Sequence, residues 1–233
     1  MLYFNCISTG STANCYLLSD GKETLILDMG VKYKKLLSNI GDLDSVVGAV
    51  LTHSHADHDA INGKQRTSEL LNQIGIKVLS PNNCEVYKKY KLGSYEIVPV
   101  NSVHNVICYG YLIKIGSELV YFATDTSQLQ RFANQQIDYF IVECNYCNLI
   151  CERIMLDSST NIAHLQSIFN YHHGLDSLVD YFNTLSYKPK TIITIHKSNS
   201  GLFDSNMVMA KIKDFADVVH IASNNTNYIL GGE

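Results

Sequence analysis

The densest chemistry in this sequence lies in LTHSHADHDA, residues 51–60, where three histidines and two aspartates fill positions 53–59. Imidazole nitrogens and carboxylate oxygens are suitable ligands for zinc, manganese or iron. His53, Ser54, His55, Ala56, Asp57 and His58 spell H-x-H-x-D-H directly behind the apolar run VVGAVL. Two histidines spaced by one residue at a strand end can point to the same side. A tight loop then turns Asp57 and His58 toward a second position, so one short segment can serve two neighbouring cations. Asp59 is left as a loop or helix-capping residue.

Other elements must position this cluster. β-Branched and aromatic runs mark strands over 2–8, 14–20 and 24–30, and SDGKE at 19–23 is an Asp-Gly hairpin signal. Residues 31–41 read as an amphipathic helix closed by Gly41. SVVGAVLTH, 45–53, reads as the buried strand that delivers the histidines. A helix over 63–75, a strand over 77–80 and a helix begun by Pro81 and running through residue 90 follow. Strands are expected over 95–104, 109–116, 118–125 and 138–146, and helical periodicity over 157–185 in two segments. A strand over 190–196, a helix over 205–215 and a final strand over 218–223 complete the reading. Strands first, then strands mixed with helices, in two successive halves, indicate two packed sheets with helices outside, an α/β (α+β) class. No linker, repeat or low-complexity run interrupts the pattern, so residues 1–233 are expected to form one domain.

With 233 residues, 46% of them hydrophobic, the chain can bury a sizeable core. Its formal charge of −4 provides no basic field for coating a polyanion, although an enzyme can still grip one phosphate locally. Seven cysteines without a regular framework, and an N-terminus lacking a basic flank and apolar segment, point to a reducing compartment and a cytoplasmic protein. No stretch approaches the length of a membrane span. Cys144, Cys147 and Cys151 form C-x2-C-x3-C without a convincing fourth ligand and read as free thiols. His220 reads as an ordinary strand residue.

The H-x-H-x-D-H motif behind a buried strand resembles the signature of the metallo-β-lactamase superfamily, whose fold is a four-layer αββα sandwich. STGSTANCYLLSDGKETLILDMG looks like the opening of its cytosolic nuclease and phosphodiesterase branch, which includes ribonuclease Z-like small hydrolases. The resemblance extends over nearly the whole chain and implies further ligands. His104 in PVNSVHNVICYGYLI, Asp125 in YFATDTS and His196 in IITIHKSNS match the family's later metal-binding positions. The implied site is dinuclear: one metal takes His53, His55 and His104, the other takes Asp57, His58 and His196, and Asp125 bridges. Two divalent ions, zinc or manganese, could hold a hydroxide between them for hydrolysis without a protein nucleophile.

NIAHLQSIFNYHHGLDSLVDYF, 161–182, bears on which bond is cut. The nuclease-like branch carries a histidine here in an H-L/M-S-L-E type motif, facing the scissile phosphate. His172 aligns best, but His173 and Gly174 replace the usual apolar-Ser pair, Asp176 replaces Glu, and an upstream arginine is missing. His164, His172 and His173 therefore all stay candidates. KSNSG, 197–201, offers Ser198, Asn199 and Ser200 beside His196 as donors to phosphate oxygens, with His173 a further substrate-binding candidate.

The expected function is a metal-dependent phosphodiesterase, with Asp57 and His172 as catalytic residues and a cyclic nucleotide or nucleic-acid end as substrate. The resemblance also suggests a homodimer. Two alternatives remain: a thioesterase or lactonase acting on a carbonyl, and a non-catalytic binding module on the same scaffold.

Overall fold

A computed structural model describes residues 1–133, 135–156 and 161–231. The first half contains β1 (Leu2–Ser8), β2 (Cys15–Ser19), β3 (Thr24–Met29), α1 (Tyr33–Asn39) and β4 (Val46–Val50). A small hairpin, β5 (Ile61–Asn62) and β6 (Gln65–Arg66), then leads to α2 (Thr67–Gln73) and β7 (Val78–Leu79). The second half runs through β8 (Tyr90–Leu92), β9 (Tyr95–Ser102), β10 (Cys108–Ile115), β11 (Glu118–Ala123) and β12 (Tyr139–Glu143). It continues with α3 (Asn148–Met155), α4 (Ile162–Tyr171), α5 (Leu175–Asn183), β13 (Thr191–Ile195), α6 (Ser205–Ile212), β14 (Val218–Ile221) and β15 (Thr226–Leu230).

The large strands form two sheets, ordered β15-β1-β2-β3-β4-β7 and β14-β13-β12-β11-β10-β9-β8. Alternation along each strand decides which layer each side chain enters. Leu25 and Leu27 of β3 and Ile141 of β12 meet in the core between the sheets. Ile26 turns outward onto Leu36 of α1 and Leu71 of α2. Phe140 and Val142 turn outward onto Leu178 and Phe182 of α5 and Ile212 of α6. The result is the expected αββα sandwich. The central strands β12 and β13 are buried throughout, as continuous apolar runs with covered faces require. Among the described residues no helix is long and apolar enough to cross a membrane.

The expected hairpin at 19–23 is present: Asp20 Oδ1 accepts from the N–H groups of Lys22 and Glu23 at 2.8 and 2.7 Å. Three expectations need correction. The helix expected from Pro81 to residue 90 is absent. Asn83 Oδ1 accepts from Ser80 N and its Nδ2 donates to Val78 O, both at 2.8 Å, so this side chain offers the backbone a turn instead. Tyr87 then takes a left-handed φ of 62°, and residues 90–92 pair with β9. The helix expected from residue 63 begins at Thr67, because Gly63 (φ 65°) closes the β5–β6 hairpin. The strand ending at Ile221 is not the last: β15 crosses to the other sheet and pairs antiparallel with β1, from Leu2↔Leu230 to Cys6↔Thr226. The helical expectation over 157–185 is met by α4 and α5; its first part, 157–160, lies outside the described residues.

Candidate metal centre

The parallel strands β4, β11, β12 and β13 end at the same edge of the sandwich, and the loops beyond them carry the titratable residues. His53, His55, Asp57 and His58 follow β4, Asp125 follows β11, Glu143 ends β12 and His196 follows β13. His104 follows β9 and His172 caps the C-terminal end of α4. Asp28, Asp125 and His196 adopt left-handed φ values of 53°, 48° and 54°. Such backbone persists only where the surroundings over-determine it, and here that is around the cluster.

Three groups of ligand atoms each lie within 4.8 Å of one another: His53, His55 and His104; Asp57, His58, Asp125 and His196; and Asp125, Glu143, His172 and His196. All seven residues expected to ligate metal fall in the first two groups, and Asp125 and His196 also share the third with Glu143 and His172. Asp125 Oδ2 lies 2.5 Å from His58 Nε2 and 3.9 Å from His53 Nε2, within reach of both of the first two groups. Asp57 Oδ2 is 3.4 Å from His58 Nε2 and 3.8 Å from His196 Nε2.

The hydrogen bonds behind the imidazoles fix which nitrogen faces inward. Thr52 Oγ1 lies 3.0 Å from both oxygens of Asp28 and so donates to them. It therefore accepts from His53 Nδ1 at 3.1 Å, leaving the Nε2 lone pair of His53 for the centre. Asp28 Oδ2 also accepts from His58 Nδ1 at 2.7 Å. Glu143 Oε1 accepts from His196 Nδ1 at 2.8 Å and from His172 Nδ1 at 2.7 Å. These carboxylate–imidazole pairs orient a ligand and raise its basicity.

Whether the residues fit a pair of cations is tested by what they leave unsatisfied. His53 Nε2, His196 Nε2 and Asp125 Oδ2 are buried without a hydrogen-bond partner, and all three point into the centre. An orphaned buried polar atom costs about 1–3 kcal/mol, and a pair of cations, one in each of the first two groups, would satisfy all three. The electrostatics agree. Burial opposes the charged forms of Asp125 and Asp57, yet His196 and His58 hold both carboxyls well below the usual range. Glu143 is held down to about 2 by His172 and His196 against its burial. Burial, reinforced by His58, pushes His53 down to about 2, so it presents a neutral donor. Burial also opposes charge on His172 and His196, but Glu143 and Asp125 push the first up to about 10, and Asp125 with Asp57 and Glu143 pushes the second up to about 9. The carboxylates thus demand positive charge, which protons or divalent cations can supply.

Of the three histidines left open, the structure brings one to the cluster. His172 Nδ1 lies 3.2 Å from Asp125 Oδ1, its side chain is 21% exposed, and its Nε2 has no hydrogen-bond partner among the described residues. His164 stands exposed on α4. His173 is buried, its Nδ1 meets Ser127 O at 3.2 Å, and it lines a separate hollow of about 200 Å³ with Arg131 and Ser177. Its ring is in none of the three ligand-atom groups. Asn199 faces Gly10, where a Cβ would stand 3.3 Å from Asn199 Oδ1. Ser198 N donates to Asn145 O at 2.9 Å and Ser200 N to Ser198 Oγ at 3.1 Å, so this segment borders the cluster on the His196 side. Asp59 takes the capping role: its carboxylate accepts from Ser68 N and Ser68 Oγ in the first turn of α2. All seven cysteines are free and buried.

Sequence reasoning missed Glu143, Asp28 and Thr52. Glu143 had a signal, as the one charged residue inside the apolar run YFIVE, where a buried charge demands partners.

No family model matches the chain, and no curated protein matches its sequence. Its structure is similar to the metallo-β-lactamase fold protein YhfI from Bacillus subtilis, with TM-score 0.72 and 16% identity over 97% of this chain and 98% of that one. It is similar to a diphosphatase from the PhnP family, with TM-score 0.62 and 13% identity over 98% of each chain. A third similar structure is the short form of human tRNase Z, with TM-score 0.62 and 10% identity over 98% of this chain and 99% of that one. This chain has the metallo-β-lactamase fold.

Proposed function

We propose that this chain is a metal-dependent hydrolase of phosphodiesters, acting on a cyclic nucleotide or a nucleic-acid end. The observation that carries the reading is His172, held by Glu143 at 2.7 Å beside the shared carboxylate Asp125. With Nδ1–H committed to Glu143, His172 presents Nε2 at the half-open side of the cluster. An alkoxide leaving a phosphodiester needs a proton, and a positioned imidazolium supplies one. A thiolate leaving a thioester needs none, so the His172–Glu143 pair favours phosphodiester over thioester cleavage.

His53, His55 and His104 would hold one divalent cation and Asp57, His58 and His196 a second, with Asp125 between them. Zinc or manganese bound there would supply Lewis acidity toward a phosphoryl oxygen and acidify a water. Asp57 orients the second group through His58 and His196, Glu143 fixes the tautomers of His196 and His172, and His172 protonates the departing oxygen. The diphosphatase and the tRNase among the similar structures cleave phosphorus–oxygen bonds by name, which supports the reading without selecting a substrate. The acidic balance of −4 favours a small substrate over long nucleic acid.

The test is turnover of bis-(p-nitrophenyl) phosphate, cyclic mononucleotides, end-labelled DNA and a thioester by protein reconstituted with Mn²⁺ or Zn²⁺. Turnover of the thioester alone would overturn the proposal.

A further inference from the structure

Asn14 lies in the loop between β1 and β2, and its side chain is fully buried against the metal centre. Its neighbours determine which end of the amide is which. Gly10 N can only donate, so the atom 3.1 Å from it is the carbonyl Oδ1. Gly10 O can only accept, so the atom 3.0 Å from it is the amide Nδ2. Tyr16 OH donates to Oδ1 at 2.9 Å; the Tyr16 oxygen accepts from Thr9 Oγ1 at 2.9 Å; and Thr9 Oγ1 accepts from His196 N at 2.8 Å. Every donor in this chain has one direction, and the amide cannot swing away.

The second N–H of Asn14 is the one left over. It points at His58 Nε2, 3.0 Å away, which is the ligating nitrogen because Nδ1 belongs to Asp28. That lone pair cannot serve a cation and Asn14 together. Once it is taken, a donor fixed by Gly10 and Tyr16 remains aimed into the centre and requires an oxygen.

We propose that the Asn14 side-chain amide donates this hydrogen bond to a non-bridging oxygen of the bound phosphodiester, on the His58 side of the centre. The proposal rests on the phosphodiesterase reading and adds a catalytic residue to it. A preorganised donor at the site of developing negative charge acts mainly on kcat, and its removal costs about 100- to 1,000-fold.

Asn14→Asp keeps Oδ1 for Gly10 N and Tyr16 OH while removing the donor. It is expected to bind two cations in a calorimetric titration and to lose about 100-fold or more in kcat with a smaller change in KM. Retention of kcat at saturating metal would overturn the proposal, including when metal binding weakens, since the Asn14 side chain would then serve only His58. A second measurement needs no variant. In ¹⁵N-labelled wild type, the Asn14 amide signal should move when Zn²⁺ is added and again when inorganic phosphate is added to the loaded protein. No movement with phosphate would overturn the donor role. Absence of phosphodiester turnover by wild type would instead remove the functional reading, and with it the substrate this donor serves.

Discussion

Glu143 Oε1 stands 2.7 Å from His172 Nδ1, and the same oxygen stands 2.8 Å from His196 Nδ1. One buried carboxylate therefore sets the tautomer of a candidate ligand and of the histidine beside it. Its other oxygen accepts from Thr126 N at 3.0 Å and His173 N at 3.2 Å, so the carboxylate has no freedom to choose between them. Glu143→Gln keeps the shape but removes the charge and places an NH₂ where an acceptor is needed. It is expected to lower kcat/KM by about 10- to 100-fold and to weaken one cation by a similar factor. Steady-state kinetics with a metal titration check this, and wild-type values in both would remove the role.

His172 should matter in proportion to how badly the leaving group needs a proton. His172→Gln is expected to reduce cleavage of an alkyl phosphodiester, such as a cyclic nucleotide, by about 100- to 10,000-fold. Cleavage of bis-(p-nitrophenyl) phosphate, whose leaving group departs as a stable anion, should fall far less. Equal losses on both substrates would assign His172 to binding rather than proton transfer.

Asp28 offers a cleaner separation of charge from geometry. Its φ of 53° is a conformation that asparagine adopts readily, so Asp28→Asn leaves the backbone unstrained. What changes is the acceptor for His58 Nδ1 and for Thr52. Cation affinity is expected to fall by about 10- to 100-fold, with the fold preserved by circular dichroism. Unaltered affinity in equilibrium dialysis would show that Asp28 is structural alone.

Gly30 faces the histidine loop too closely for any side chain. A Cβ there would stand 1.7 Å from Asp57 O, and Gly30 N already donates to Asn14 O at 2.8 Å. Gly30→Ala must push the 53–58 loop outward, so it is expected to abolish stoichiometric metal binding in elemental analysis and to lower the melting temperature. A variant that still binds two metals would mean that the loop has a second stable position.

The residues legible in the sequence were those whose meaning is local. H-x-H-x-D-H declares itself within six positions, and the Asp20 turn within four. The continuous apolar runs of β3, β12 and β13 announced buried strands. Glu143 stood out as a charge in an apolar run, but its role was not legible, because its partners His172 and His196 lie 29 and 53 residues away. The helix expected after Pro81 failed because a hydrogen bond from Asn83 to Val78 O outweighs weak helical periodicity. His172 and His173 are adjacent with the same chemistry. Only the break between α4 and α5 sends one ring to the cluster and the other to Ser127.

The pairing of β15 with β1 has a consequence for the order of assembly. Asn224, just before β15, accepts from Thr9 N at 2.8 Å, and Thr9 in turn receives His196 N. Every candidate ligand from His53 to His196 is therefore synthesised before the residues that anchor the Thr9 loop. A nascent chain released up to Ala222 would carry the full set of ligands but not the buttress that holds Thr9 and, through Tyr16, Asn14. The buttress behind Thr9, Tyr16 and Asn14 is thus complete only when β15 closes the first sheet.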